Sequence, residues 1–400
     1  MKKSLLYVIV LFLLVLCLVS CNNLQQQQTT DNTKTTETTG NHFHSFGEWI
    51  IIKEPTCEES GIHERICSCG EKETETIPAI GHDIVDGICS KCGYMPETEN
   101  LYYILINDEY YEVYCGSCQE KVINIPSEHN GKPVLVVKSF SDRDFIEIVN
   151  VAEGITTIDK QAFKGCTNLK KVNLPDSLTT IGDDAFSESG IHEITIPKGV
   201  TEIGNRAFYE SELTKFVDQG NFSEIKNSSF MNCKLLKEVI LSNNIKEIGT
   251  SAFWGCESLE SITIPNSVTE LGSMVFVECK SLKTITIPGS IENMGMGIIY
   301  KSGVQDVILC EGIKMTSFHS YDDLYLVLEG CDSLESITIP STVTYIDLTM
   351  FERLNIKEVY VEMTKEQWKN MNKALIDGDS NCQFVIHCVD GDLDRSEYVK

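Results

Sequence analysis

Along the middle of the chain, large apolar residues recur at a fixed beat. An isoleucine-type residue is followed five positions later by a large hydrophobe at Ile158/Phe163, Ile181/Phe186, Ile203/Phe208, Ile225/Phe230, Ile248/Phe253, Leu271/Phe276, Met294/Ile299 and Ile346/Phe351. A period of 22 or 23 residues marks a solenoid, whose units bury their apolar faces only by stacking on one another. Three residues after each aromatic-type anchor stands a small residue: Cys166, Ser189, Ser211, Cys233, Cys256, Cys279, Ser302 and, after Leu328, Cys331. The next inward aliphatic follows three residues after a cysteine, as at Leu169, but two after a serine, as at Ile191. Cysteine units are therefore 23 residues long and serine units 22. The 29 residues from Ile299 to Leu328 break this rule and predict a loop of seven extra residues within 316–323.

After the small residue comes the most regular segment, fullest at 169–175, 259–265, 282–288 and 334–340. Val172 and Leu174 alternate around Asn173, and Ile262 and Ile264 around Thr263. This is the period of a short strand with one buried face. Proline ends these strands because it cannot donate to a ladder. One strand per unit, stacked about 4.8 Å apart, predicts a curved parallel β-sheet about 40 Å long over nine units. The residue between the two buried positions faces outward: Asn173, Thr195, Val217, Ile240, Thr263, Thr286, Ile308, Thr338 and Tyr360. These nine are the expected ligand-binding positions, although β-branched residues are also simply good strand formers. Lys170, Lys171, Lys215, Lys237 and Lys283 lie beside them, placed to meet an acidic partner.

In its full form the unit reads I-G-x-x-A-F-x-G-C-x-x-L-x-x-I-x-I-P. Ile181-Gly182-Asp183-Asp184-Ala185-Phe186 and Phe253-Trp254-Gly255-Cys256-Glu257-Ser258-Leu259 match it nearly letter for letter. It resembles the BspA-like class of bacterial leucine-rich-repeat surface proteins. Ile123-Asn124-Ile125-Pro126 with Asn130-Gly131-Lys132-Pro133-Val134 is similar to the family's opening, and Ile386-His387-Cys388 with Asp390-Gly391 to its ending. The likeness covers about two thirds of the chain. It implies a leucine-rich-repeat solenoid and non-catalytic adhesion to host or matrix proteins or to other cells. The expected layout is a signal segment at 1–20, a tether at 21–41, a Cys/His-rich β-ribbon module at 42–95, a capping segment at 96–145, repeats at 146–360 and a C-terminal cap at 361–400.

Met1-Lys2-Lys3 and the fifteen apolar residues 5–19 have the form of an export signal, too short for an ordinary membrane span. Leu18-Val19-Ser20-Cys21 resembles a bacterial lipobox, which implies a mature chain acylated at Cys21 and held on the outer face of the cell envelope. Residues 22–41 carry Gln, Thr, Asn and charge without apolar periodicity, a disordered tether with a span of about 25 Å. With 59 acidic against 33 basic residues the formal charge is -26, which opposes nucleic acid as a partner.

Seventeen cysteines in an exported chain ordinarily suggest a disulfide framework. The repeat-column cysteines interchange with serine and are expected instead to be small buried side chains. Cys310 is expected to be a lone thiol, while Cys115/Cys118 and Cys382/Cys388 are spaced to close short bridges. A second population lies in 42–95, with the knuckles Cys67-Ser68-Cys69-Gly70 and Cys89-Ser90-Lys91-Cys92-Gly93, resembling doubled C-x-x-C-G modules of bacterial surface proteins. Tetrahedral zinc takes four such ligands. One assignment gathers His44, Cys57, Cys67 and Cys69 and leaves His82, Cys89 and Cys92 as a partial site. A second pools Cys67, Cys69, Cys89 and Cys92. Disulfides are the alternative to zinc, and in either case the role is to staple a segment without a sizeable core.

No set of residues stands out as catalytic. The histidines fall in the Cys module, the caps or single units, and P-loop and dinucleotide fingerprints are lacking. Cys115-Gly116-Ser117-Cys118 has redox spacing but lies between strand-like stretches rather than ahead of a helix. The residues therefore predict a binding protein for extracellular proteins or glycans. The second expectation is an architectural or glycan-recognising envelope component.

Overall fold

A computed structural model describes residues 44–313, 328, 330–344, 346, 354, 356–371, 384–393 and 395–398. The expected signal segment, Cys21, the tether, the loop within 316–323, Phe351 and Cys382 lie outside the described residues. The rest forms two compact units, one ending at Ile80 and one starting at Gly81.

In the first unit β1 (Ile50–Lys53), β2 (Gly61–Ile66) and β3 (Lys72–Ile77) make an antiparallel sheet in that order. The β2–β3 register runs unbroken from Gly61↔Ile77 to Ile66↔Lys72. Its side chains are mostly polar, and Ile50, Ile51 and Ile52 of β1 are all exposed. Trp49 stacks on His63 at 4.1 Å, and the Arg65 guanidinium lies 4.6 Å from the Trp49 ring while pairing with Glu73. Such pairs at a half-wet surface each contribute about 1 kcal/mol or less. The unit lacks the apolar burial that normally carries a domain.

The second unit begins with a hairpin of β4 (Ile84–Val85) and β5 (Ile88–Cys89). The antiparallel pair Tyr102–Ile106 and Tyr110–Tyr114 follows, and then the solenoid. The long strands stack in parallel with identical positions side by side. Val122–Ile125, Ile148–Val151 and Lys171–Asn173 form one ladder, and Glu193–Ile196, Lys215–Asp218 and Glu238–Ile240 a second. Thr284–Ile287, Asp306–Leu309, Ser336–Ile339, Glu358–Val361 and Val385–Cys388 form a third, closed by the antiparallel strand Gly391–Leu393. The parallel sheet predicted from the alternation is thus present, divided into three ladders.

Two details differ from expectation. The segment 259–265, among the fullest copies of the strand motif, joins no ladder, although Ile262 and Ile264 remain buried and Thr263 exposed. That turn of the solenoid is held by these buried side chains and by its short strand Glu270–Leu271, which pairs in register with the short strands on either side. Each typical unit also carries a second, two-residue strand, such as Thr157–Ile158, Thr180–Ile181 and Glu202–Ile203, stacked in register with its neighbours. One strand per unit was expected, because two residues are too few to show a period. The glycine after this short strand allows the close approach: a Cβ on Gly182 would lie 2.5 Å from the Lys160 backbone nitrogen.

The core runs along the solenoid axis. Phe140, Phe163, Phe186, Phe208, Phe230, Phe253 and Phe276 stack ring on ring with centroids 5.1 to 5.7 Å apart. All seven are buried. Offset aromatic stacks contribute about 0.5 to 1.5 kcal/mol beyond area burial. The Phe backbone N–H groups donate to the next unit, Phe163 to Ala185 at 2.8 Å and Phe186 to Ala207 at 2.8 Å.

The column cysteines are buried thiols, as the interchange with serine predicts. Cys166 Sγ donates to the Phe140 carbonyl at 3.1 Å, Cys233 to Phe208 at 2.9 Å, Cys256 to Phe230 at 3.2 Å and Cys279 to Phe253 at 3.2 Å. Each thiol thus reaches back to the preceding unit. Ser189 Oγ donates instead to the Phe186 carbonyl within its own unit, at 2.7 Å. Cys115 and Cys118 are buried thiols and not a bridge, and Cys310 and Cys388 are half-buried thiols.

Candidate functional site

The nine predicted outward positions all lie on the surface of the long strands. Thr195, Ile240, Thr263, Thr286 and Tyr360 are exposed, and Asn173, Val217, Ile308 and Thr338 half-buried. Strand register sets them side by side: Thr195↔Val217↔Ile240 in one ladder, Thr286↔Ile308↔Thr338↔Tyr360 in another. They form a lane one residue wide with an aliphatic and threonine surface.

The same register extends the lane at both ends to residues that the nine positions omit. Asn124 and Asn150 precede Asn173 in register, and His387 follows Tyr360. The signal was legible, since Ile123-Asn124-Ile125-Pro126 and Ile386-His387-Cys388 repeat the apolar-x-apolar pattern. At the C-terminal end Tyr360 stacks on His387 at 4.7 Å, and His387 bridges Glu358 and Asp392 at 2.7 Å each. The Glu358 carboxylate, and then Asp392, hold the His387 pKa above its ordinary value against the effect of burial.

At the N-terminal end the three asparagines form a ladder of amides. Asn173 Nδ2 donates to Asn150 Oδ1 at 2.5 Å, and Asn150 Nδ2 to Asn124 Oδ1 at 2.7 Å. Asn124 and Asn150 are only 5% and 1% exposed because the tip of the β4–β5 hairpin lies on them. The Asp86 and Gly87 carbonyls accept from Asn150 Nδ2 at 2.8 Å and Asn124 Nδ2 at 3.1 Å. Asp86 and Gly87 both have positive φ, 52° and 85°, the conformation of a tight two-residue hairpin turn. Glycine is required at the second position, since a Cβ there would lie 2.5 Å from Val122 Cγ1.

Just past this cover, where the first ladder ends and the second begins, a groove of about 600 Å³ opens between Lys170, Lys171, Asn173, His192, Thr195 and Gln219. The lysines expected to face an acidic partner are largely engaged within the chain. Lys171 pairs with Asp86 at 3.1 Å, Lys170 with Glu147 at 3.9 Å and Lys215 with Glu238 at 3.0 Å. Glu238 is the cross-strand neighbour of Lys215, whereas Asp86 reaches Lys171 from the tip of the β4–β5 hairpin.

The Cys/His residues gather into groups different from both assignments drawn from spacing. His44, Cys67 and Cys69 lie together, with all donor atoms within 4.8 Å of one another, and Cys57 is not among them. The pooled set of four thiolates does not form either, because each knuckle has its own histidine. His44 Nδ1 is 3.3 Å from Cys69 Sγ, and His82 Nδ1 is 3.3 Å from Cys92 Sγ, with Cys89 in the same group. Spacing along the chain could not reveal this, because β-sheet register and turn geometry choose which histidine meets which knuckle. The Cys69 backbone N–H and thiol, helped by His44, bring Cys67 down to about 6. Burial pushes the Cys89 thiol up, but the Lys91 and Cys92 backbone N–H groups, His82 and the Asp83 backbone together bring it to about 5.

Comparison with known proteins bears on the solenoid. The sequence pattern described as the BspA type leucine rich repeat region matches in six copies, across 135–259, 201–327 and 252–372. Among curated proteins nothing matches the chain. Among solved structures, it is similar to a leucine-rich repeat protein from Bacteroides ovatus, at 21% identity and TM-score 0.34, over 74% of this chain and 100% of that one. A leucine rich cell surface protein from Faecalibacterium prausnitzii matches at 20% identity and TM-score 0.30, over 70% and 99%. The pneumococcal vaccine antigen PcpA matches at 17% identity and TM-score 0.32, over 71% and 96%.

Proposed function

Because the chain belongs to the BspA-type leucine-rich-repeat family, we propose that it is a non-catalytic binding protein displayed outside a bacterial cell, holding protein or cell-surface ligands on the outward lane. The observation that carries this reading is the lane itself: in-register Thr, Val and Ile side chains, exposed or half-buried, along the stacked strands, with a groove at one break and an aromatic pair at the end. Flat apolar-and-hydroxyl surfaces of this kind favour contact over chemistry. Display is supported by the export-type N-terminus and Cys21, whose acyl chains at about 0.8 kcal/mol per buried methylene would hold the chain on lipid. The polar residues 22–41 would act as the tether.

The test is binding of the purified chain to immobilised extracellular-matrix proteins and, in parallel, to cell-wall glycans. Saturable, salt-sensitive binding to protein is expected. Ile240→Glu or Thr286→Glu should weaken it at least about tenfold, roughly 1.4 kcal/mol, since lane centres carry most binding energy. Binding to glycans alone would favour the architectural or glycan-recognising role, and binding indifferent to both substitutions would remove the lane from the account.

A further inference from the structure

We propose that the two His/Cys groups are binding sites for a zinc-class divalent ion, and that the second fixes the hairpin cover over the N-terminal end of the lane. Zinc binds imidazole nitrogen at about 2.0–2.1 Å and thiolate sulfur at about 2.3 Å, so a tetrahedral centre holds N and S about 3.6 Å apart. The His44 Nδ1 to Cys69 Sγ and His82 Nδ1 to Cys92 Sγ separations are both 3.3 Å. With Cys67 and Cys89 added, the donor atoms of each group stay within 4.8 Å of one another. Two thiolates and a neutral imidazole balance a double positive charge, and they supply three of the four donors that tetrahedral zinc takes.

The surroundings of His44 fit the same chemistry. Its Nε2 lies 3.0 Å from Glu71 Oε2. A carboxylate there fixes the tautomer that leaves Nδ1 as the ligand atom, an arrangement common behind metal-bound histidines. Around this group is a sheet almost without apolar core, where an ion closing Cys67 and Cys69 onto His44 supplies cohesion that packing does not.

In the second group, His82 precedes β4, Cys89 ends β5 and Cys92 follows it, so an ion there joins the two ends of the hairpin. Strands of two residues do not hold a hairpin in water by themselves. The ion therefore determines whether the Asp86–Gly87 turn stays on Asn124 and Asn150, and so whether the lane begins at the asparagines or at the groove beyond them.

The experiment is metal content and cobalt substitution of the full chain, purified reduced and without oxygen. About two ions per chain and a thiolate-to-cobalt charge-transfer absorption are expected. Cys67→Ser and Cys89→Ser should each remove about half of both. His82→Asn, which keeps every thiol, should lower the cobalt signal as Cys89→Ser does. Chelation should speed hydrogen exchange across 83–90 while leaving 193–240 unchanged. A chain that takes up no cobalt at micromolar concentration, or whose knuckle cysteines are isolated as disulfides that zinc does not displace, overturns the proposal. Unchanged exchange at 83–90 in a metal-free chain overturns its second half.

Discussion

At the scale of single residues, the cysteine column shows how much a substitution pattern can say. Interchange of Cys with Ser along one column marked those positions as small and buried, and their unit lengths followed. What it could not show is the partner, because the carbonyl that each thiol meets belongs to another unit. Burial pushes Cys166 and Cys233 up to about 12 from an ordinary value of 9.0. A thiol raised in the folded state stabilises fully below the unfolded value, near pH 9, and loses that contribution as pH climbs towards the folded one. Urea midpoints should therefore fall between pH 9 and 11, less steeply in a Cys233→Ser variant. At pH 8 the column thiols should resist a thiol reagent until the chain unfolds. Rapid labelling of all five in the native chain would contradict their burial.

At the scale of elements, the short-strand column and the phenylalanine column differ in what they carry. The short column sets Glu224↔Glu247↔Glu270 side by side. Burial first, then these two neighbours, raise the Glu247 pKa. The sign follows: a raised carboxyl contributes below its unfolded value of 4.5 and loses that contribution as pH rises, so at pH 7 the stack opposes folding. Glu247→Gln should stabilise the chain by about 0.5 kcal/mol at pH 7 and by nothing at pH 4, read as a shift of urea midpoint at constant slope. The phenylalanine column has the opposite weight. Phe208 sits between rings at 5.7 and 5.3 Å and meets Phe216 edge-on, so Phe208→Ala should cost about 3–5 kcal/mol. Since each unit touches only its neighbours, hydrogen exchange should rise around 186–230 before it rises at either end. A uniform rise would argue against nearest-neighbour stacking.

At the scale of the whole molecule, a charge of -26 acts on everything above. Salt screens that self-repulsion, the Debye length shrinking from about 20 Å near 20 mM to about 4 Å near 500 mM. The melting temperature should rise across this range by about 2 °C or more, and a fall would mean that ion pairs such as Lys138 with Glu112 and Asp159 outweigh the net charge. Sequence alone determined the solenoid, its two unit lengths, the phenylalanine core and the outward lane, because stacking repeats the same local choice at each unit and periodicity records it. Only the tertiary structure decided where the sheet breaks, that Asp86 and Gly87 cover the first asparagines, and which histidine joins which cysteine knuckle. Those outcomes depend on single contacts between residues far apart in the chain, made once, and a contact made once leaves no period to read.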